Sequence, residues 1–154
     1  QYGVTLAIQN HHDIAVHSAA LLEMLHDIDR PNCRLGVDAW SPALRGEDVY
    51  DAAKSLAPYA AITTNADYIQ LPRFRYRPEL VNYQPHSPAM VRAVKFGAGF
   101  IDYESFFRGL AEGGFDGIAN FEMCSPVRGG GAMENLDAYA AAYVSWMSER
   151  GFAK

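Results

Sequence analysis

Polar residues able to do chemistry recur in this chain just after short apolar runs. Gln9, Asn10, His11 and His12 follow the run Val4 to Ile8. Asp38 follows Arg34 to Val37, Asn65 and Asp67 follow Ala60 to Thr63, and Glu122 follows Gly117 to Phe121. Carboxylates and imidazoles transfer protons, and with amides they bind polar ligands and metal ions. One acidic residue behind one apolar run means little. Four runs that end this way point to a shared polar site.

The elements that must position these residues follow from hydrophobic spacing. Each apolar run is rich in β-formers and has the length of a strand. Between the runs lie stretches with helical spacing. Ser18, Leu21, Leu22, Leu25 and Ile28 predict a helix over about 15–28, stopped by Asp29-Arg30-Pro31-Asn32. Val49, Ala52, Ala53 and Leu56 predict a second, after a loop containing Ser41-Pro42 and Gly46. Tyr103, Phe106, Phe107 and Leu110 predict a third, ended by Gly113-Gly114, and Leu136 to Met147 a fourth. The stretch from Tyr68 to about Ile101 is of mixed character and is broken by Pro72, Pro78, Pro85 and Pro88, which excludes one long helix. The order is strand then helix, four times over. Such alternation implies an α/β fold with a parallel sheet, whose functional groups gather at the C-terminal strand ends.

Composition narrows the class. The chain has 154 residues, room for a single domain over 1–154 with a real core. Hydrophobic residues make up 49% and charged residues 20%, which excludes a disordered chain. The net charge of −5 disfavours gripping a phosphate backbone, so no nucleic-acid partner is expected. No apolar run reaches the roughly 20 residues of a membrane span. Two distant cysteines, Cys33 and Cys124, read as reduced thiols of a cytoplasmic protein.

Four segments carry a resemblance to a known family: Leu6-Ala7-Ile8-Gln9-Asn10-His11, Leu35-Gly36-Val37-Asp38, Phe96-Gly97-Ala98-Gly99-Phe100-Ile101-Asp102-Tyr103, and Gly114-Phe115-Asp116-Gly117-Ile118-Ala119-Asn120-Phe121-Glu122. Together they resemble the second half of a xylose-isomerase-like TIM barrel, the superfamily of sugar and sugar-phosphate isomerases and epimerases that also includes endonuclease-IV-type (AP endonuclease family 2) repair enzymes. The resemblance implies four βα units of a (β/α)8 barrel and a divalent metal at the strand ends. It also implies that an Asp and a final Glu among the ligands correspond to Asp38 and Glu122. Where the family carries a first Glu and a His, this chain has Gln9 and Thr64. Gln9, Asp38, Asn65 and Glu122, with a histidine helping, would make an oxygen-rich metal set that suits Mn²⁺ or Mg²⁺ better than Zn²⁺.

The resemblance leads to an enzyme acting on a sugar or sugar derivative by isomerisation or epimerisation through an enediolate-like state. Glu122 is the candidate base, and His11 or His12 assists proton transfer. Asn10, Trp40, Asp67 and Arg128 are candidate substrate contacts, Arg128 through the glycine-rich turn Gly129-Gly130-Gly131. Epimerisation needs a proton-transfer group on each face of the substrate carbon, and only Glu122 is an evident one. A lyase or dehydratase on the same substrate class therefore competes, as does a non-catalytic barrel subunit that binds a ligand or partner. Arg73-Phe74-Arg75-Tyr76-Arg77 reads as a loop over the barrel mouth or an oligomer contact. A complete barrel of this type needs about 250 residues. The chain thus reads as the C-terminal part of a longer enzyme, and otherwise as a half-barrel completed by a homo-oligomer or split-barrel partner.

Overall fold

Each apolar run pairs with the next as a parallel strand. In the computed structural model, which describes residues 3–11, 13–124 and 126–152, β1 (Leu6–Gln9) lies beside β2 (Cys33–Val37), β2 beside β3 (Ala60–Asn65), and β3 beside the last strand of this sheet (Ile118–Phe121). The four parallel strands thus stand in chain order, stepping one way as the staves of a barrel do. The α/β fold expected from the alternation is the one observed. Among the described residues no helix is long and apolar enough to cross a membrane.

The backbone groups into two compact units. The first comprises residues 1–65 and 101–122; the second comprises 66–100 and 123–154.

In the first unit α1 (Ser18–Ile28), α2 (Trp40–Arg45), α3 (Val49–Leu56) and a fourth helix (Tyr103–Glu112) accompany the sheet. The short α2 occupies the stretch expected to be a loop, and Gly46 closes it at φ 75. The first helix starts at Ser18 because a 3-10 turn takes residues 13–15. Leu21, Leu35, Leu56 and Phe106 are fully buried and form its core. Asp48 and Asp102 accept hydrogen bonds from Asp51 N and Ser105 N and so cap α3 and the helix at Tyr103. The aspartate of the Ile101-Asp102-Tyr103 element is thus a helix cap. The sheet edges are more open than the apolar runs suggest, with Leu6 62% and Ile118 68% exposed.

The second unit resolves the stretch of mixed character after Tyr68. Asp67–Arg77 (β4) and Asn82–Val94 (β5) pair as a long antiparallel ribbon. With it the strand at Ile118 becomes β6, the helix at Tyr103 α4, and the last helix, Met133–Glu149, α5. Prolines fit here because a two-stranded ribbon has an unpaired side on each strand. Arg73, Arg75 and Arg77 alternate with Phe74 and Tyr76, a period of two that is itself a strand signature. Near its base Tyr68, Ala93 and Val94 are buried, while residues 72–88 are exposed. Phe96 meets Tyr143 and Trp146 edge-on at 4.9 and 5.1 Å between ring centroids.

α3 and α4 approach closely because Gly109 has no side chain. A Cβ there would lie 2.4 Å from the Tyr50 carbonyl oxygen and 3.0 Å from the Ala53 Cβ. Glycine to alanine within a helix normally gains up to about 1 kcal/mol. Here Gly109→Ala reverses sign and destabilises by about 1–3 kcal/mol, as overpacking does. A urea unfolding midpoint equal to or above that of the wild type would refute this packing.

Candidate functional site

Strand register assembles the site. Parallel pairing sets Gln9 opposite Gly36 and Thr64 opposite Asn120. Side chains alternate between the faces of a sheet, and registered partners share a face. Ala7, Gln9, Gly36, Asp38, Ile62 and Thr64 therefore fall on one face. Glu122, two residues past Asn120, continues the same alternation. Its backbone N–H donates to the Asn65 carbonyl at 2.9 Å, which extends the ladder past β6. Gly36 presents no side chain on this face, so the Gln9 amide reaches across β2 to β3.

The Gln9 amide nitrogen donates to Asp38 Oδ2 at 3.2 Å and to Thr64 Oγ1 at 2.9 Å. An ionised carboxylate only accepts, so it is the NH2 end of the amide that faces Asp38. His11 Nδ1 lies 3.5 Å from the same Asp38 oxygen, and the His11 side chain is about half exposed. Asp38 is buried at 4% exposure. Its other oxygen accepts from Ser41 N at 2.9 Å. Burial raises the Asp38 pKa above its ordinary value of 3.8, against the opposing pull of the Ser41 N–H, His11 and Gln9.

Asn10 locks this carboxylate in place. Its Nδ2 donates to the Asp38 carbonyl at 2.9 Å, and its Oδ1 accepts from the Asp38 N–H at 2.7 Å. Asn10 is 1% exposed. Expected at the substrate, it has both ends of its amide engaged on the backbone that carries Asp38.

The other candidates fall as follows. Glu122 is exposed. Trp40 is half-buried at the start of α2, two residues after Asp38. His12 lies outside the described residues. Asn65, expected among metal ligands, lies on the opposite sheet face from Gln9 and is fully buried. Its side chain accepts from Thr63 Oγ1 and donates to the Asn120 carbonyl. Thr64, one residue earlier, holds the place beside Gln9.

In the second unit Asp67, 2% exposed, binds backbone. It accepts from Tyr68 N at 2.9 Å, Gly97 N at 3.0 Å and Gly99 N at 2.8 Å. A Cβ on Gly99 would lie 1.9 Å from the Asp67 Oδ1. The Gly97-Ala98-Gly99 element therefore wraps a carboxylate of the chain itself. Arg128 is exposed; its N–H donates to the Ala93 carbonyl, and its carbonyl accepts from Tyr139 Oη and Asn135 Nδ2.

Sequence reasoning passed over Thr64 as a partner of Gln9 and Ser41 as a donor to Asp38. The alternation that places Thr64 on the Gln9 face was readable only once the register was fixed.

The resemblance implies a divalent ion on this face, and the donor set does not fit one. The Gln9 NH2 group, which cannot ligate, points at the Asp38 carboxylate, and a neutral hydroxyl stands at position 64. Among the described residues no group of three His, Cys, Asp or Glu side chains is placed to hold a metal ion.

The family model for the xylose isomerase-like TIM barrel matches residues 1–149, and the chain belongs to that family. A comparison with curated proteins finds no match. Among solved structures, D-allulose 3-epimerase from Methylomonas sp. in complex with D-allulose is similar at 15% identity and a TM-score of 0.67, covering 96% of this chain and 49% of that one. A probable 3-DHS dehydratase from Bacillus anthracis is similar at 16% identity and a TM-score of 0.61, over 91% of this chain and 48% of that one. A xylose isomerase-like TIM barrel protein from Mycobacterium smegmatis, in complex with magnesium, gives 16% identity and a TM-score of 0.57, over 93% and 45%. The chain thus spans about half the length of these structures.

Two measurements check the roles of the buried carboxylates. A pKa raised on folding gives Asp38 a stabilising contribution that is full below its ordinary 3.8 and lost as pH rises through the folded value. Asp38→Asn removes that loss, so the stability of the variant relative to wild type rises as pH is raised above 3.8. A difference that does not change with pH would contradict it. Asp67→Ala leaves three backbone N–H groups without their acceptor and costs roughly 3 kcal/mol in urea unfolding; a cost below about 0.5 kcal/mol, as for an ordinary surface change, would show that the loop at 97–99 is held otherwise.

Proposed function

We propose that this xylose isomerase-like chain supplies half of an active-site mouth that acts on a sugar or related polyhydroxylated carbonyl compound by isomerisation or epimerisation. The observation that carries this reading is the placement of Gln9, Asp38, Thr64 and Glu122 on one sheet face at the strand ends, in a family whose solved neighbours include epimerases.

Glu122 is the proton-transferring carboxylate. It is exposed, so it can meet a substrate, and it is carried on a backbone pinned to β3. It removes the proton from the carbon beside the substrate carbonyl, and the electron pair left behind moves onto the carbonyl oxygen. Return of a proton to the former carbonyl carbon, while the hydroxyl proton of the deprotonated carbon passes to the old carbonyl oxygen, isomerises the substrate; return to the opposite face of the same carbon, with the electron pair moving back from the oxygen, epimerises it. His11, half exposed and beside Asp38, is the second proton-transfer group.

Dehydration is the second reading, and position 9 favours it. A glutamine there leaves Glu122 without a carboxylate partner across the site. Elimination needs only one group: it takes the proton from the α-carbon, the electron pair left there forms the C=C bond, and the β-hydroxyl departs with that proton as water. The likeness to a probable dehydratase accords with this.

The open sheet edges at Leu6 and Ile118 support the view that further β/α units complete the barrel, from the rest of a longer chain or from a second copy. Cys33 and Cys124 are free thiols, as suits a reducing compartment such as the cytoplasm.

Glu122→Gln lowers turnover of the cognate sugar by about 10²–10⁴-fold with an unchanged circular dichroism spectrum. Retained turnover in the folded variant would remove Glu122 from the mechanism.

A further inference from the structure

The family's ion would sit among the side chains of positions 9, 38, 64 and 122, all of which this chain carries. At that place the structure puts an amide. The Gln9 NH2 group bridges Asp38 Oδ2 and Thr64 Oγ1 at 3.2 and 2.9 Å. Its two hydrogens are both engaged, and they carry the partial positive charge that faces the buried carboxylate.

We propose that the Gln9 amide takes the place of the ion, so that this strand-end site binds a neutral polyol without a divalent metal. This deepens the reading given under Proposed function and rests on it for the ligand class. Three features carry it. First, a cation would need Gln9 to turn its oxygen inward, which breaks both hydrogen bonds at once. Second, Gln9 and Thr64 in place of a carboxylate and an imidazole remove one full negative charge and the strongest neutral ligand from the set. Third, the network leaves a matched pair of groups for a hydroxylated ligand. Thr64 accepts from Gln9 through its oxygen and, among the described residues, keeps its O–H to donate, and the Gln9 Oε1 is left to accept. A sugar hydroxyl both donates and accepts, so it satisfies the two together.

The test is an ion titration with no sugar present, so its outcome is independent of whether the substrate reading holds. Mn²⁺ and Mg²⁺ are each titrated by calorimetry into chelator-treated wild-type protein, Gln9→Glu, and Gln9→Glu/Thr64→His. The wild type shows no saturable binding of either ion. The double variant binds Mn²⁺ saturably, at least about 100-fold more tightly than the weakest binding the titration detects, with Gln9→Glu between it and the wild type. Circular dichroism of each variant establishes that it is folded, and the single variant carries the test if the double variant is not. One equivalent of ion bound by the wild type and lost in Asp38→Ala would overturn the proposal. So would folded variants that gain no affinity, because residues 9 and 64 would then not be what distinguishes this site from a metal site.

Discussion

The reciprocal hydrogen bonding between Asn10 and Asp38 is the constraint on which the site depends. A carboxylate buried at the end of β2 loses hydration that only well-placed donors restore. Asn10 does not supply those donors itself. It holds the backbone of Asp38 by donating to the carbonyl and accepting from the N–H. With the backbone fixed, one carboxylate oxygen meets Ser41 N and the other meets Gln9 and His11. Two neighbouring loops, after β1 and after β2, are thereby tied into one polar floor.

The floor is polar without being highly charged. Burial works against ionisation of Asp38, and the groups on its carboxylate are a side-chain amide, a backbone N–H and an imidazole. This environment suits recognition of hydroxyls more than capture of a cation. The exposed carboxylate of Glu122 stands on the same face, free of that burial. The two acidic residues thus differ in their surroundings: Asp38 is buried among hydrogen-bond partners, and Glu122 is open to solvent. Asp67 shows a third use of a carboxylate, as the hub around which Gly97 and Gly99 fold.

Much of this was legible in the chain itself. The four parallel strands follow from short apolar runs separated by helical spacing, and α3 starts and ends where Val49, Ala52, Ala53 and Leu56 say it should. The gathering of Gln9, Asp38 and Glu122 at strand ends followed from the same alternation. Other features were hidden for identifiable reasons. The ribbon of β4 and β5 was obscured by prolines, which a two-stranded ribbon tolerates and a central strand does not. The choice between Thr64 and Asn65 turned on register, and register is a tertiary property. The backbone contacts of Asn10 and Asp67 were not legible because an amide or carboxylate near a site looks the same in sequence whether it binds a ligand or the chain's own backbone.

The most direct measurement follows the side-chain amide signal of Gln9 by ¹H–¹⁵N NMR while a ketohexose is titrated into the protein with chelator present. The account predicts that the Gln9 signal shifts saturably with the sugar while the Asn10 side-chain signal, locked to the Asp38 backbone, moves little. A Gln9 signal that stays fixed at saturating sugar, or that moves only after a divalent ion is added, would contradict it.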